Sequence, residues 1–182
     1  LLVHAAAGGV GLAAVQIGKA LGARVLATAG SPAKCDVALQ HGADAAFDYS
    51  TADWVEQVKA MTGGRGADVI YDPVGGEIFD LSLKCLAFSG RLLVIGFASG
   101  TIPSVQVNRV LLKNISIVGL HWGAYRQHDP DKIPQAMREL FRLYEQGKVT
   151  PLVSSQYPLA RAADALDEIA TRKSVGKVLL IP

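Results

Sequence analysis

A short apolar run, Leu1-Leu2-Val3-His4, meets a small-residue turn, Ala5-Ala6-Ala7-Gly8-Gly9-Val10-Gly11, and passes straight into a stretch with helical spacing. No other feature of the chain restricts its fold as strongly. The first backbone N–H groups of a helix that opens this way have no partner within the helix. They point at the turn, where a pyrophosphate can accept from them. Gly8 lets such a ligand approach the backbone, and Gly11 lets the helix lie close on the strand. The pattern reads A-x-x-G-x-x-G, with Ala6 where the strict dinucleotide fingerprint has its first glycine. A tight strand-to-helix connection without a ligand is the competing reading. The two are separated by whether the rest of the chain alternates strands and helices.

It does alternate. The pattern predicts strands over 1–4, 24–28, 45–47, 68–71, 91–95 and 115–118. Between them it predicts helices over 8–21, 53–61 and 78–87, a helix from Ser31-Pro32 to His41-Gly42, and a long amphipathic helix over 134–146. Gly22 is placed to stop the first helix, and Ser31 with Pro32 gives an N-cap and a first-turn proline. The expected fold is α/β, a doubly wound parallel six-stranded sheet of the Rossmann type. Strand order 3-2-1-4-5-6 would put the first and fourth strands at the switch point, where ligands bind.

The chain has 182 residues, half of them apolar, with a formal net charge of +2. This suits one domain with room for an appendage. No basic stripe stands out, so nucleic acid is not the expected partner. The apolar runs are far too short to span a membrane. The chain opens inside a strand without an initiator Met, which predicts a longer polypeptide and leaves any targeting segment unread. Cys35 and Cys85 lack the C-x-x-C spacing and read as reduced, partly buried thiols. No His-x-x-x-His metal spacing occurs, so no metal ligands are assigned. No Ser/His/Asp set is assigned either.

The end of the second strand carries the cofactor information. Folds that prefer NAD usually place an acid there, roughly 20 residues past the turn, to accept from the ribose 2′-hydroxyl. Here the segment is Thr28-Ala29-Gly30-Ser31-Pro32-Ala33-Lys34, and no acid occurs until Asp36. Ser31 and the N–H groups of the next helix offer donors, and Lys34 offers a positive charge, so a 2′-phosphate would be welcomed. Taken singly, Ser31 could be only a cap and Lys34 only a surface lysine. Their combination with the missing acid favours NADPH over NADH.

These segments, in order, are similar to the cofactor-binding half of the zinc-independent quinone oxidoreductases in the medium-chain dehydrogenase/reductase superfamily. The resemblance rests on 3–11, on Ala29-Gly30-Ser31, on Tyr71-Asp72-Pro73-Val74-Gly75-Gly76 and on Val94-Ile95-Gly96-Phe97-Ala98-Ser99-Gly100. It continues through Leu112-Lys113-Asn114-Ile115, Gly119-Leu120-His121-Trp122-Gly123 and Gly176-Lys177-Val178-Leu179-Leu180-Ile181-Pro182. Within that family the segment 96–102 is most like the quinone oxidoreductase-like proteins.

The resemblance implies that Gly8, Gly9, Val10 and Gly11 face the pyrophosphate. It implies that Gly30, Ser31, Lys34 and Tyr49 surround the 2′-phosphate, with Arg172 as a further basic contact. Backbone around Gly96, Phe97 and Leu120 would approach the nicotinamide. Tyr49 has the alternative of a half-exposed residue after a strand, Arg172 of a favourable charge ending its helix, and Phe97 of packing alone. His121-Trp122 could wall the nicotinamide or pack under the sixth strand. Asp72-Pro73 is a common loop starter, and no catalytic residue is assigned. Zinc-dependent relatives carry their metal ligands ahead of this half.

The implied activity is hydride transfer from NADPH to a quinone or other conjugated carbonyl acceptor, in a cytoplasmic enzyme whose catalytic domain is absent from this chain. Alternatives are a 2-enoyl thioester or alkenal reductase, and a non-catalytic NADPH-binding protein with a structural or RNA-associated role. Residues 1–149 would form the nucleotide-binding domain. Residues 150–182 resemble the part that returns to the missing domain, leaving apolar strand edges unpaired. The apolar sixth strand lies at a sheet edge in the expected order. Both that edge and the resemblance predict a homodimer joined there.

Overall fold

The computed structural model describes residues 1–51 and 53–182. Six strands form one sheet: β1 (Leu2–Val3), β2 (Leu26–Ala29), β3 (Ala45–Asp48), β4 (Ala67–Asp72), β5 (Leu86–Val94) and β6 (Ser116–Gly119). Their order is β3-β2-β1-β4-β5-β6 and every neighbouring pair is parallel. This is the doubly wound arrangement the alternation predicts.

Helices cover both faces, which is why the central strands are apolar on both sides. Leu2 packs with Leu26, Ile70 and Leu92 against α3 (Trp54–Met61) and α4 (Gly76–Cys85). Val3, one residue on and so on the opposite face, packs with Val25 and Ala27 against α1 (Gly9–Ala20) and α2 (Pro32–Gln40). Ser31 caps α2, its hydroxyl accepting from the Lys34 N–H at 3.3 Å.

Several boundaries differ from the pattern for physical reasons. Helix α4 starts at Gly76, and β5 starts at Leu86 where the pattern continues the helix to Ala87. The register between β4 and β5 shifts between Ala67 and Val69, and Ser89 has φ +58°. A strand with such an irregularity loses the two-residue alternation that would reveal it. Helix α5 (Val107–Lys113), closed by Asn114 at φ +50°, has no counterpart in the sequence reading. After the short α6 (Tyr125–His128), α7 (Lys132–Glu145) begins two residues before Pro134. Pro134 therefore sits in the first turn, where its missing N–H costs nothing. Both cysteines are buried, more deeply than expected.

Near the C-terminus, β7 (Val153–Pro158), α8 (Ala162–Ala170) and β8 (Lys177–Ile181) follow. Strands β7 and β8 pair in parallel with each other, so the two segments expected to be left without partners partner one another. Among the contacts that tie this unit to the larger one, two reach α1 and the turn before it. The Gln16 amide donates to the Thr150 carbonyl and accepts from the Thr150 N–H. The Gly176 N–H donates to the Ala7 carbonyl at 2.8 Å. Among the described residues, no helix is long and apolar enough to cross a membrane.

Candidate nucleotide-binding site

The glycine turn lies at the C-terminal end of β1, with Gly8 as the N-cap of α1. No side chain caps this end and no acid stands in the first turn. The Gly8 carbonyl accepts from Leu12 at 2.8 Å, leaving the N–H groups of Gly9, Val10 and Gly11 without helical partners. A Cβ built on Gly8 meets nothing nearer than the Ala5 carbonyl oxygen at 3.4 Å, so the space before the turn is open. Gly11 is the opposite case. A Cβ there would collide with the Ala5 carbonyl oxygen and lie 2.8 Å from the Ala6 Cα. Gly11 thus has the close-packing role its position predicts, and Gly8 leaves the space in front of the turn free. Val10 is half exposed beside them.

The fold brings together Gly30, Ser31, Lys34, Tyr49 and Arg172 at the end of β2. A Cβ on Gly30 would stand 3.2 Å from the Tyr49 hydroxyl, so the absent side chain makes room for the ring. Burial holds the Tyr49 phenol above its ordinary range, and the nearby Arg172 charge offsets part of that rise. The Lys34 ammonium donates to the Arg172 carbonyl at 2.6 Å, and Arg172 itself has φ +56°. Ser31 acts as the cap, and Lys34 is engaged rather than a free surface lysine. Sequence reasoning passed over Asp48, which β3 carries into the same neighbourhood. Its carboxylate accepts from the Ser50 N–H at 2.9 Å, within its own loop.

The loops after β5 and β6 form the other end. The Leu120 N–H donates to the Val94 carbonyl at 3.1 Å, and the Ala98 N–H to the Pro73 carbonyl at 3.0 Å. These bonds hold the segments bearing Gly96, Phe97 and Leu120 beside the loop that follows β4. Phe97 packs toward Gly75 yet remains 41% exposed, and Leu120 is 40% exposed. His121 and Trp122 do not pack under β6. Both are exposed, with Trp122 tilted against Tyr125 at 5.4 Å between ring centroids. Asp72 is a turn residue, accepting from the N–H groups of Val74 and Gly75 at 2.8 and 3.0 Å. Burial raises its carboxyl, and those two N–H groups pull it back down.

Two further features escaped the sequence reading. His4 is fully buried between Thr28 and Ser82, and Lys177 lies across Gly9. Their partners are distant along the chain, so no local pattern could reveal them. An apolar groove of about 690 Å³ runs along the flank of α1, lined by Leu12, Ile17, Leu93, Trp122 and Leu140. Its lining is mostly apolar, with Gly9 and Lys177 at one end. Among the described residues, no three His, Cys, Asp or Glu side chains stand close enough to hold a metal.

Residues 9–142 match the family described as zinc-binding dehydrogenase. Quinone oxidoreductase-like protein 2 of Bos taurus is 41% identical over 181 residues, covering 99% of this chain and 52% of that protein. Quinone oxidoreductase of Pseudomonas aeruginosa is 38% identical over 183 residues, covering 100% of this chain and 56% of that protein. The crystal structure of Escherichia coli quinone oxidoreductase complexed with NADPH matches with a TM-score of 0.90 at 36% identity. That match covers 100% of this chain and 56% of the crystallised one. The chain spans about half the length of the curated relatives it matches.

Proposed function

The chain belongs to the zinc-binding dehydrogenase family, and from that premise we propose that it is the cofactor-binding half of an NADPH-dependent oxidoreductase. The acceptor is a quinone or another conjugated carbonyl compound. The observation that carries this reading is the cluster of residues at the end of β2. It gathers Lys34, Arg172, Tyr49 and the uncapped start of α1, and the neighbouring Asp48 is turned into its own loop.

NADPH supplies the hydride when bound. The chain's own work is binding and orientation. The N–H groups of Gly9, Val10 and Gly11 hold the pyrophosphate. Gly30, Ser31, Lys34, Tyr49 and Arg172 receive the 2′-phosphate. Gly96, Phe97 and Leu120 border the nicotinamide, and the half-exposed side chains of Phe97 and Leu120 keep water from one side of it. Residues 1–149 serve as the nucleotide-binding domain, and residues 150–182 as the segment that meets the rest of a longer polypeptide. The working protein is a cytoplasmic homodimer joined at the β6 edge.

Calorimetric titration with NADPH and NADH tests the cofactor assignment. NADPH binds more tightly, and Lys34→Ala weakens NADPH selectively. A desolvated charge-assisted contact contributes about 1.5–3 kcal/mol, and a partly exposed one about 1 kcal/mol or less. Equal affinities for the two nucleotides, or an unchanged preference in the variant, would sink the assignment. Oxidation of NADPH by the full-length polypeptide with a quinone separates an enzyme from a non-catalytic nucleotide-binding protein.

A further inference from the structure

We propose that His4 is a positioning residue for the glycine turn, its buried ring fixing where the turn stands relative to the end of β2. The inference rests on the nucleotide reading above. It concerns a side chain that is completely buried and so touches no ligand itself.

The chain changes direction at one residue as it leaves β1. The His4 N–H donates to the Tyr71 carbonyl of β4 at 3.1 Å, and the Ala6 N–H donates to the Thr28 carbonyl of β2 at 2.9 Å. Between them Ala5 has φ +49°, in the left-handed region that a residue with a Cβ adopts only where its surroundings impose it. That conformation shapes the turn. The Ala5 carbonyl accepts from the Gly8 N–H at 3.0 Å, and the same oxygen is what forbids a Cβ at Gly11.

His4 holds this kink from the core side. Its Nδ1 lies 2.7 Å from the Thr28 hydroxyl, and its Nε2 lies 2.7 Å from the Ser82 hydroxyl of α4. Thr28 is therefore tied to residue 4 through its hydroxyl and to residue 6 through its carbonyl, one bond on each side of Ala5. The ring also meets Trp54, a member of the apolar core that contains Leu2, Leu26 and Ile70. An apolar side chain could fill such a space, but apolar burial has no direction. Hydrogen bonds do, and a buried polar network with every partner in place fixes one arrangement of the elements it joins. Among the described residues no buried side-chain polar atom is left without a partner. Thr28 also stands two residues before Gly30. The His4 bond thus sets the spacing between the glycine turn and the cluster at the end of β2. A dinucleotide spans both, whereas a mononucleotide carrying a 2′-phosphate reaches only the second.

The test is nucleotide binding by the full-length polypeptide carrying Thr28→Val, which keeps the branched shape and removes the hydroxyl. NADPH and NADH both weaken by about tenfold, with their ratio unchanged. Adenosine 2′-monophosphate keeps its wild-type affinity, and Thr28→Ser, which retains the hydroxyl, binds both dinucleotides as the wild type does. His4→Phe keeps a ring against Trp54 and gives the same pattern. Adding Thr28→Val to it costs no further affinity, because the two side chains act through one bond. Val58→Ala, a fully buried position in the same core, lowers the unfolding temperature without changing any of the affinities. Circular dichroism checks that each variant is folded, and Thr28→Val decides the matter even where His4→Phe does not fold. Wild-type affinity for both dinucleotides in folded Thr28→Val overturns the proposal. So does an equal loss for adenosine 2′-monophosphate, or a loss in Val58→Ala as large as that in Thr28→Val. A wild-type protein that binds neither dinucleotide overturns the underlying nucleotide reading instead.

Discussion

Mild acid is expected to destabilise this protein through one buried ring. His4 is completely buried, with Nδ1 2.7 Å from the Thr28 hydroxyl and Nε2 2.7 Å from the Ser82 hydroxyl. The Ser82 hydroxyl donates its single proton to the Ile78 carbonyl at 2.6 Å. It must therefore accept from His4, which fixes the tautomer with the proton on Nε2. Nδ1 is left to accept from Thr28. The ring edge also meets Trp54 at 5.3 Å between centroids. Burial pulls the imidazole down from 6.5 to about 3.

The folded state thus refuses a proton that the unfolded chain takes up below pH 6.5. The stability that depends on neutral His4 is complete above that value, and it drains away as pH falls from 6.5 toward about 3. Each unit in that window costs about 1.4 kcal/mol, so moving from pH 7 to pH 5 costs about 2 kcal/mol. Urea unfolding at both pH values measures this in the wild type and in His4→Gln, whose amide does not titrate. The variant is less stable at pH 7 but loses about 2 kcal/mol less on acidification. Asp44, held low by Lys19, begins to lose its contribution only as pH falls through the ordinary carboxylate value of 3.8, below the pH 7 to pH 5 comparison. Asp72, raised by burial, pulls the other way. Both groups remain in the two proteins and cancel in the comparison. Equal losses in wild type and variant would refute the assignment to His4.

The glycine turn makes a paired prediction. Gly8→Val leaves the circular dichroism unchanged and abolishes dinucleotide binding, because an added Cβ meets only the Ala5 carbonyl oxygen, at 3.4 Å, and the side chain fills the space in front of the turn. Gly11→Ala instead lowers the unfolding temperature, at about 1–3 kcal/mol for forcing the helix off the turn. A folded Gly8→Val that still binds, or a Gly11→Ala of wild-type stability, would contradict these roles. At the sheet edge, Ile117 pairs with Leu92 of β5, and among the described residues no strand pairs with the other side of β6. Sedimentation at micromolar concentration is expected to show a wild-type dimer and a dissociated Ile117→Pro. A monomeric wild type, or a folded variant that stays dimeric, counts against it.

The sheet was legible because its signals are local. The strand, small-residue turn and helix of residues 1–21, the Ser31-Pro32 cap and the spacing of apolar runs all lie within short windows. These windows suffice to order six strands. Elements failed to show where local pattern and tertiary need diverge. The Leu86-Ala87 pair reads as the end of a helix, but it is taken into β5 by a bulged register with β4. Helix α5 has no fully buried residue and so no clear apolar stripe to announce it. At the site, the missing acid near Ser31 was readable, whereas the approach of Asp48 required β3 to be laid beside β2. His4, Gln16 and Lys177 find partners in Ser82, Thr150 and Gly9, contacts that only the folded chain creates.

Those long contacts change what the proposed site is. Had it belonged only to the large sheet, residues 5–49 would contain every group near it. Instead the Lys34 ammonium ends on the Arg172 carbonyl, and the Lys177 stem covers Gly9. The Gly176 N–H closes on Ala7 at the turn itself. The first two links join the β7–α8–β8 unit to residues of the proposed nucleotide site, and the third joins it to the turn that carries them. A dinucleotide lying from the turn to the end of β2 would therefore touch both units and strengthen their attachment. Binding adds stability only to the state that presents both sets of contacts. The C-terminal unit is thus part of the proposed site, although a division by sequence pattern would cut it away at residue 149.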